Sequence, residues 1–274
     1  MAGSAAARGV PRRASATGRP AARPCTGLLL AAAVLVAGAA PGHVRADEPL
    51  EPVELGHFSP PLAPDTPPLG WEALTFPRVA RHTRYTVEGD GMGGTRQVLR
   101  ADSQAGASGL YRPVDLDPRV YPILSWRWKI KDVVARADAR TRAGDDCAAR
   151  VYVGFRYDPA RASLWERARY GVYRLIYGRY PPGVALAYVW DNRLPPGTVL
   201  PSAYTDRVRM IVARSGPALA GQWVGERRNV YEDYHRIVGG EPPRIEGVAV
   251  MTDTDETGES ATAWYDALAF RPGG

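Results

Sequence analysis

The sequence predicts an all-β protein: a jelly-roll β-sandwich of two antiparallel sheets, with one amphipathic helix inserted near residues 161–177. Three observations predict it. Short runs rich in Val, Ile, Tyr and Trp recur between clusters of Gly, Pro and Asp. Several runs alternate apolar and polar residues at period two, which is the pleat of a strand with one dry face. The chain shows no internal repeat or interior linker, and the length left after an N-terminal leader suits one large β domain.

Residues 1–46 read as a signal peptide. Arg8, Arg12, Arg13, Arg19 and Arg23 precede a short apolar stretch from Leu28 to Ala37, and Val44-Arg45-Ala46 offers a small residue for cleavage. That stretch is too short to span a bilayer. The expected product is periplasmic or secreted, without a transmembrane span. The leader holds six of the 35 Lys and Arg residues and none of the 29 Asp and Glu residues, so the +6 charge of the full chain falls to near zero. Nucleic acid is therefore not an expected partner. Cys147 alone remains after cleavage, which excludes an internal disulfide.

Residues 47–70 form a Pro-rich entry segment, expected to run extended over the surface. The domain then occupies 71–274. Strands are expected near 71–77, 82–88, 96–102, 108–113, 121–131, 147–157, 184–191, 206–213, 222–229, 245–252 and 262–270. Gly89-Asp90-Gly91-Met92-Gly93-Gly94 fits a dinucleotide-binding pattern, but the following TRQVLR is extended where that use needs a helix, so it reads as a hairpin turn. Leu164, Trp165, Ala168, Val172, Leu175 and Ile176 recur at helical spacing between Pro159 and Pro181. A shorter helical turn is expected over 231–238.

Three strands carry the functional expectation. In 121–131, Leu124, Trp126, Trp128 and Ile130 oppose Ser125, Arg127, Lys129 and Lys131; in 147–157, Val151, Val153 and Phe155 oppose Arg150, Tyr152 and Arg156. In 206–213, Val208, Met210 and Val212 oppose Arg207, Arg209 and Ile211. If these strands are neighbours, their wet sides form one basic, aromatic surface. Guanidinium groups there would fork onto carboxylates or sulfates, and tyrosines would pack on sugar rings. The expected ligand-binding residues are Arg127, Lys129, Arg150, Tyr152, Arg156 and Trp190, the last at a strand end. An ordinary solvated sheet face is the competing interpretation.

The segment IEGVAVMTDTDETGESATAWYDALAF (245–270) reads as two strands joined by an acidic loop, with Trp264, Asp266, Leu268 and Phe270 sharing one side. An unpaired carboxylate buried in an apolar row is costly, and a metal or another cation would resolve it. Asp253, Asp255 and Asp266 are the candidate ligands of a structural calcium ion, with the Asp145-Asp146 pair as a further source; the competing interpretation is a polar hairpin whose Asp and Thr side chains cap backbone amides. The loop is not an EF-hand, because Trp264 stands where a bidentate glutamate is required.

The motifs GDDCAARVYVGF, ALAYVWDN, RNVYEDYHRIVGGEPPRIEGVAVMTDTDET and AWYDALAF make the chain resemble a secreted bacterial family, domain of unknown function 3047. That resemblance implies a shared fold without supplying an activity. More distantly, the order of strands and loops resembles the galactose-binding-like jelly roll of carbohydrate-binding modules, in which the terminal aspartate, here Asp266, often belongs to a calcium site. The favoured reading is an exported protein that binds an acidic polysaccharide or cell-envelope glycan. The alternatives are a polysaccharide lyase or glycoside hydrolase using Tyr152 or His235 as acid or base, and a non-catalytic structural envelope protein. Catalytic motifs are sparse, so the expectation leans away from an enzyme.

Overall fold

The computed structural model of the protein describes residues 50–56, 58, 66–91, 93, 95–159 and 183–273. The expected leader and the helix expected over 161–177 lie outside the described residues. Among those described, the strands are β1 (Val53–Glu54), β2 (Glu72–Leu74), β3 (Arg84–Gly89), β4 (Gln97–Gln104), β5 (Ala107–Leu116), β6 (Ile123–Ile130) and β7 (Cys147–Phe155). They continue with β8 (Val184–Asp191), β9 (Val199–Pro201), β10 (Val208–Ser215), β11 (Val224–Asn229), β12 (Ile245–Asp253) and β13 (Ser260–Arg271). One helix, α1 (Val230–Ile237), follows β11 and is capped by the Asn229 side chain, which accepts from the Glu232 amide.

The strands form two sheets packed as a jelly-roll sandwich. The first runs β11-β6-β13-β4-β3, with β1 also on β13; the second runs β2-β5-β12-β7-β8-β10-β9. Pairing is antiparallel except between β8 and β10, which run parallel with β9 between them in sequence. The Pro-rich entry segment contributes more than a surface strap: β1 pairs Val53 with Phe270, and Leu55 and Phe58 are buried in the core.

Period-two alternation builds the interior as expected. Leu124, Trp126, Trp128 and Ile130 of β6 face Val151, Val153 and Phe155 of β7 and Leu186, Tyr188 and Trp190 of β8 in one core. Aromatic rings join the sheets: Trp126 lies 5.3 Å from Tyr188 and Trp128 lies 5.7 Å from Trp190 between centroids. The β3–β4 turn is the glycine-rich hairpin, with Gly89 opposite Gln97.

Three expectations change in the structure. The acidic loop 254–259 is not a hairpin but an arch, because β12 lies in the second sheet and β13 in the first. It is zipped to the parallel β4–β5 arch: the Thr254 amide donates to the Gly106 carbonyl, the Ala105 amide donates to Glu259, and the Ser103 and Thr254 hydroxyls meet at 2.7 Å. The approach is close enough that a Cβ on Gly106 would sit 2.6 Å from the Arg81 carbonyl oxygen. Second, β13 does not keep one phase. A bulge between Asp266 and Ala269, with Ala267 at φ 54°, turns Leu268 and Phe270 inward while Trp264 and Asp266 stay outward. Third, Val208, Met210 and Val212 face away from the main core. Parallel register sets Ile211 beside inward Tyr188, and the other three join Cys147, Ala187 and Val189 in a second apolar cluster.

Candidate functional site

The outer face of the first sheet carries the most developed surface arrangement. Register places Trp264 of β13 between Lys129 of β6 and Arg100 of β4, while Trp223, one residue before β11, stands beside Lys129. The Lys129 ammonium lies 4.2 Å from the Trp264 ring centroid and 5.2 Å from that of Trp223. Arg127 stacks on the other side of the row, 4.5 Å from Trp223, and Arg100 lies 5.6 Å from Trp264. These are cation–π distances. Both indoles are half-buried, and the row crosses four strands.

Hydrogen bonds fix the floor of the row. The Trp264 Nε1–H donates to Glu88 Oε1 at 2.7 Å, and Arg100 forks onto Asp102 at 2.8 and 3.0 Å. Burial pushes the Asp102 carboxyl up, but the bonds from Arg100 and the Thr262 hydroxyl outweigh it and hold it below the usual range. Asp266 is buried beneath two guanidinium groups, accepting from Arg96 Nε at 2.6 Å and Arg127 Nε at 2.5 Å. Lys129 differs from its neighbours: no carboxylate pairs with it among the described residues.

The six residues expected on one ligand face do not share one. Arg127 and Lys129 lie on the outer face of the first sheet. Arg150 and Tyr152 lie on the outer side of the second, so the two strands point their non-core residues in opposite directions. That second face is not wet: Tyr152 packs on the apolar cluster of Cys147, Val189 and Met210. Burial pushes its hydroxyl well above the ordinary value. Arg156 projects at the end of β7 and pairs with Asp115 at 2.9 Å, beside Arg244. Trp190 is a core residue whose indole donates to the Gly216 carbonyl. His235 sits on the exposed side of α1 with Nδ1 3.1 Å from the Gly240 carbonyl oxygen, since its neighbour Tyr234 packs on Phe155 inside.

Sequence reasoning missed Trp223, Trp264 and Arg100. A signal existed for Trp264: Ala261, Ala263 and Tyr265 form an apolar row that leaves Thr262, Trp264 and Asp266 outside. The unseen bulge at Ala267 concealed it.

Arg150 is the centre of a buried ion cluster. Its Nε and Nη2 fork onto Asp253 at 3.0 and 2.8 Å, Nη1 reaches Asp145 at 3.0 Å, and Nη2 also donates to the Asp145 carbonyl at 2.6 Å. Asp146 and Asp255 stand alongside, and carboxylate oxygens of Asp146, Asp253 and Asp255 all lie within 4.8 Å of one another. Asp146 also caps the arch, accepting from the Glu256 and Thr257 amides. Burial, reinforced by Asp146, Asp145 and Asp255, pushes the Asp253 carboxyl up against the pull of Arg150. The three aspartates expected to hold a metal do not lie together. Asp266 belongs to the other sheet and is held by arginines, whereas Asp146 joins Asp253 and Asp255.

Cys147 lies next to this cluster with its thiol donating to the Trp190 carbonyl at 3.0 Å, and burial pushes its pKa up to about 12. Thiol-reactive reagents are expected to leave Cys147 unlabelled in the native protein at pH 8 and to label it after denaturation. Absorbance of released thionitrobenzoate checks this directly.

Residues 69–269 match the family model described as "Protein of unknown function (DUF3047)". The chain belongs to this family. No curated protein matches this DUF3047 chain in sequence. Similar solved structures include the family 11 carbohydrate-binding module of the cellulosomal cellulase Lic26A-Cel5E of Clostridium thermocellum, at 10% identity and TM-score 0.41, covering 82% of this chain and 97% of that one. A family 30 carbohydrate-binding module matches at 12% identity and TM-score 0.38, covering 81% and 88%. The K2 cleaved adhesin domain of Lys-gingipain matches at 9% identity and TM-score 0.36, covering 80% and 98%. Likeness at this level assigns no ligand to the DUF3047 chain. No helix among the described residues is long and apolar enough to cross a membrane.

Proposed function

We propose that the protein is an exported, non-catalytic glycan-binding protein, and that the outer face of the first sheet binds an acidic polysaccharide. The observation that carries this reading is the clamping of Lys129 between two half-buried indoles without a carboxylate partner among the described residues. Indole faces pack against the C–H faces of sugar rings, and an unmatched ammonium beside them favours an anionic chain. The basic and apolar character of residues 1–46 supports export. Titration calorimetry with uronate oligosaccharides tests the reading. Saturable binding without release of reducing ends or unsaturated products is expected; turnover would instead favour a lyase or hydrolase.

The same proposal includes a structural calcium ion at Asp146, Asp253 and Asp255. One guanidinium serves four neighbouring carboxylates there, so a hard cation would offset the remaining charge and pin the arch to β7. Calcium at a hundredfold excess over its dissociation constant is expected to add about 2.7 kcal/mol, which raises Tm by about 5–10 °C for a domain of this size. Scanning calorimetry of chelator-treated protein, with and without calcium, measures the effect. Asp255→Asn should abolish the response, and an unchanged Tm in wild type would remove the ion from the account.

A further inference from the structure

Strand register extends the proposed binding face beyond the two indoles. On β11 the outward positions after Trp223 are Gly225, Arg227 and Asn229; on β6 the matching positions after Lys129 are Arg127, Ser125 and Ile123. Gly225 carries no side chain, and a Cβ placed there would meet nothing within 4 Å. The space above it therefore forms an open trough between Trp223 and Arg227. At about 3.3 Å per residue, the line from Trp223 to Asn229 is about 20 Å long.

The trough ends in a cavity of about 480 Å³ whose walls include Arg119, Pro122, Ile123, Arg227, Asn229 and Tyr231. The charges of this cavity are unequal in availability. Arg119 is forked onto Asp117 at 2.8 and 3.0 Å, and the Tyr231 hydroxyl donates to Glu241. The Asn229 carbonyl caps α1, which leaves its amide N–H groups as donors. The Arg227 side chain makes no hydrogen bond or ion pair among the described residues, although the neighbouring Arg119, Arg127 and Arg228 each have a carboxylate. A free planar fork beside an amide donor and an apolar wall of Pro122 and Ile123 suits an oxyanion carried on a ring.

We infer that this cavity is the subsite that reads the acidic substituent of the glycan, a carboxylate or sulfate group, with Arg227 as the forked donor. The inference rests on the glycan reading of the sheet face and adds to it where the ligand's charge is recognised. The trough over Gly225 carries the chain from the indoles to the cavity.

Three oligosaccharide probes of equal length test it by calorimetry: a galacturonate oligomer, its methyl ester, and a sulfated galactan oligomer. Wild type is expected to prefer at least one anionic probe over the ester. Arg227→Ala is expected to erase that preference, with an affinity loss of about 10- to 100-fold on the preferred probe and no change on the ester. The variant should unfold at the wild-type temperature, because the Arg227 side chain has no polar partner among the described residues. An Arg227→Ala protein that keeps the full anionic preference overturns the subsite. If its binding still depends on Trp264, the sheet-face reading survives that result. Wild-type protein that binds none of the probes removes both.

Discussion

Replacing Arg150 with alanine is expected to be the most destabilising single change at a charged residue, lowering stability by about 3–5 kcal/mol and Tm by on the order of 10 °C. The Arg150 side chain is 5% exposed, and both carboxylates it serves, Asp145 and Asp253, are 4% exposed. Removing the guanidinium deprives the buried Asp145 carboxylate and carbonyl of this donor and leaves Asp253 with the 3.2 Å bond from the Cys147 amide. Arg150→Lys is expected to restore little, since one ammonium cannot fork onto Asp253 while reaching Asp145. Below its lowered Tm, the alanine variant should bind the glycan with wild-type affinity, because Arg150 lies on the sheet opposite to the indoles. A thermal shift under about 2 °C, well below what a lost buried pair costs, would mean that the cluster is not the lock described here.

Trp264→Ala carries the largest expected effect on binding. The ring supplies one wall of the Lys129 clamp, stacks near Arg100, and is tied to Glu88 through its indole N–H. Truncation removes the sugar-packing surface and releases Lys129 from one of its two rings. An affinity loss of at least about tenfold, or about 1.4 kcal/mol, is expected. Trp223→Ala should weaken binding by a comparable factor, and the two losses should not add, since both rings hold the same ammonium. Stability should change little beyond the packing of one half-buried ring. Calorimetric titration of the single and double variants measures all three effects. Wild-type affinity in the double variant would place the ligand elsewhere.

Much of the fold was legible because alternation is a local signal. The rows Leu124-Trp126-Trp128-Ile130 and Val151-Val153-Phe155 are core in the structure as in the sequence, and the strand at 184–191 has the expected bounds. Sheet membership was not legible. Nothing in residues 121–131 and 147–157 states that they belong to opposite sheets, so two basic rows that look alike in sequence face opposite ways. Only the pairings decide this, and they join residues far apart in the chain. The site suffered from the same limit and from one more. A single residue at positive φ, Ala267, shifted the phase of β13 and turned Trp264 and Asp266 from apparent core to outer face. The alternation of β10 was read correctly but assigned the wrong direction, because the second sheet carries apolar residues on both sides at Met210 and Val212.

Amide and indole chemical-shift mapping with a uronate oligomer tests the central claim most directly. The claim predicts that saturable shifts gather at the indole N–H signals of Trp223 and Trp264 and at the amides of 125–129 and 223–229. The buried indoles of Trp128 and Trp190 and the amides around Arg150 should stay in place. Shifts centred on β7, β8 and β10, or no shifts at all at saturating ligand, would contradict it.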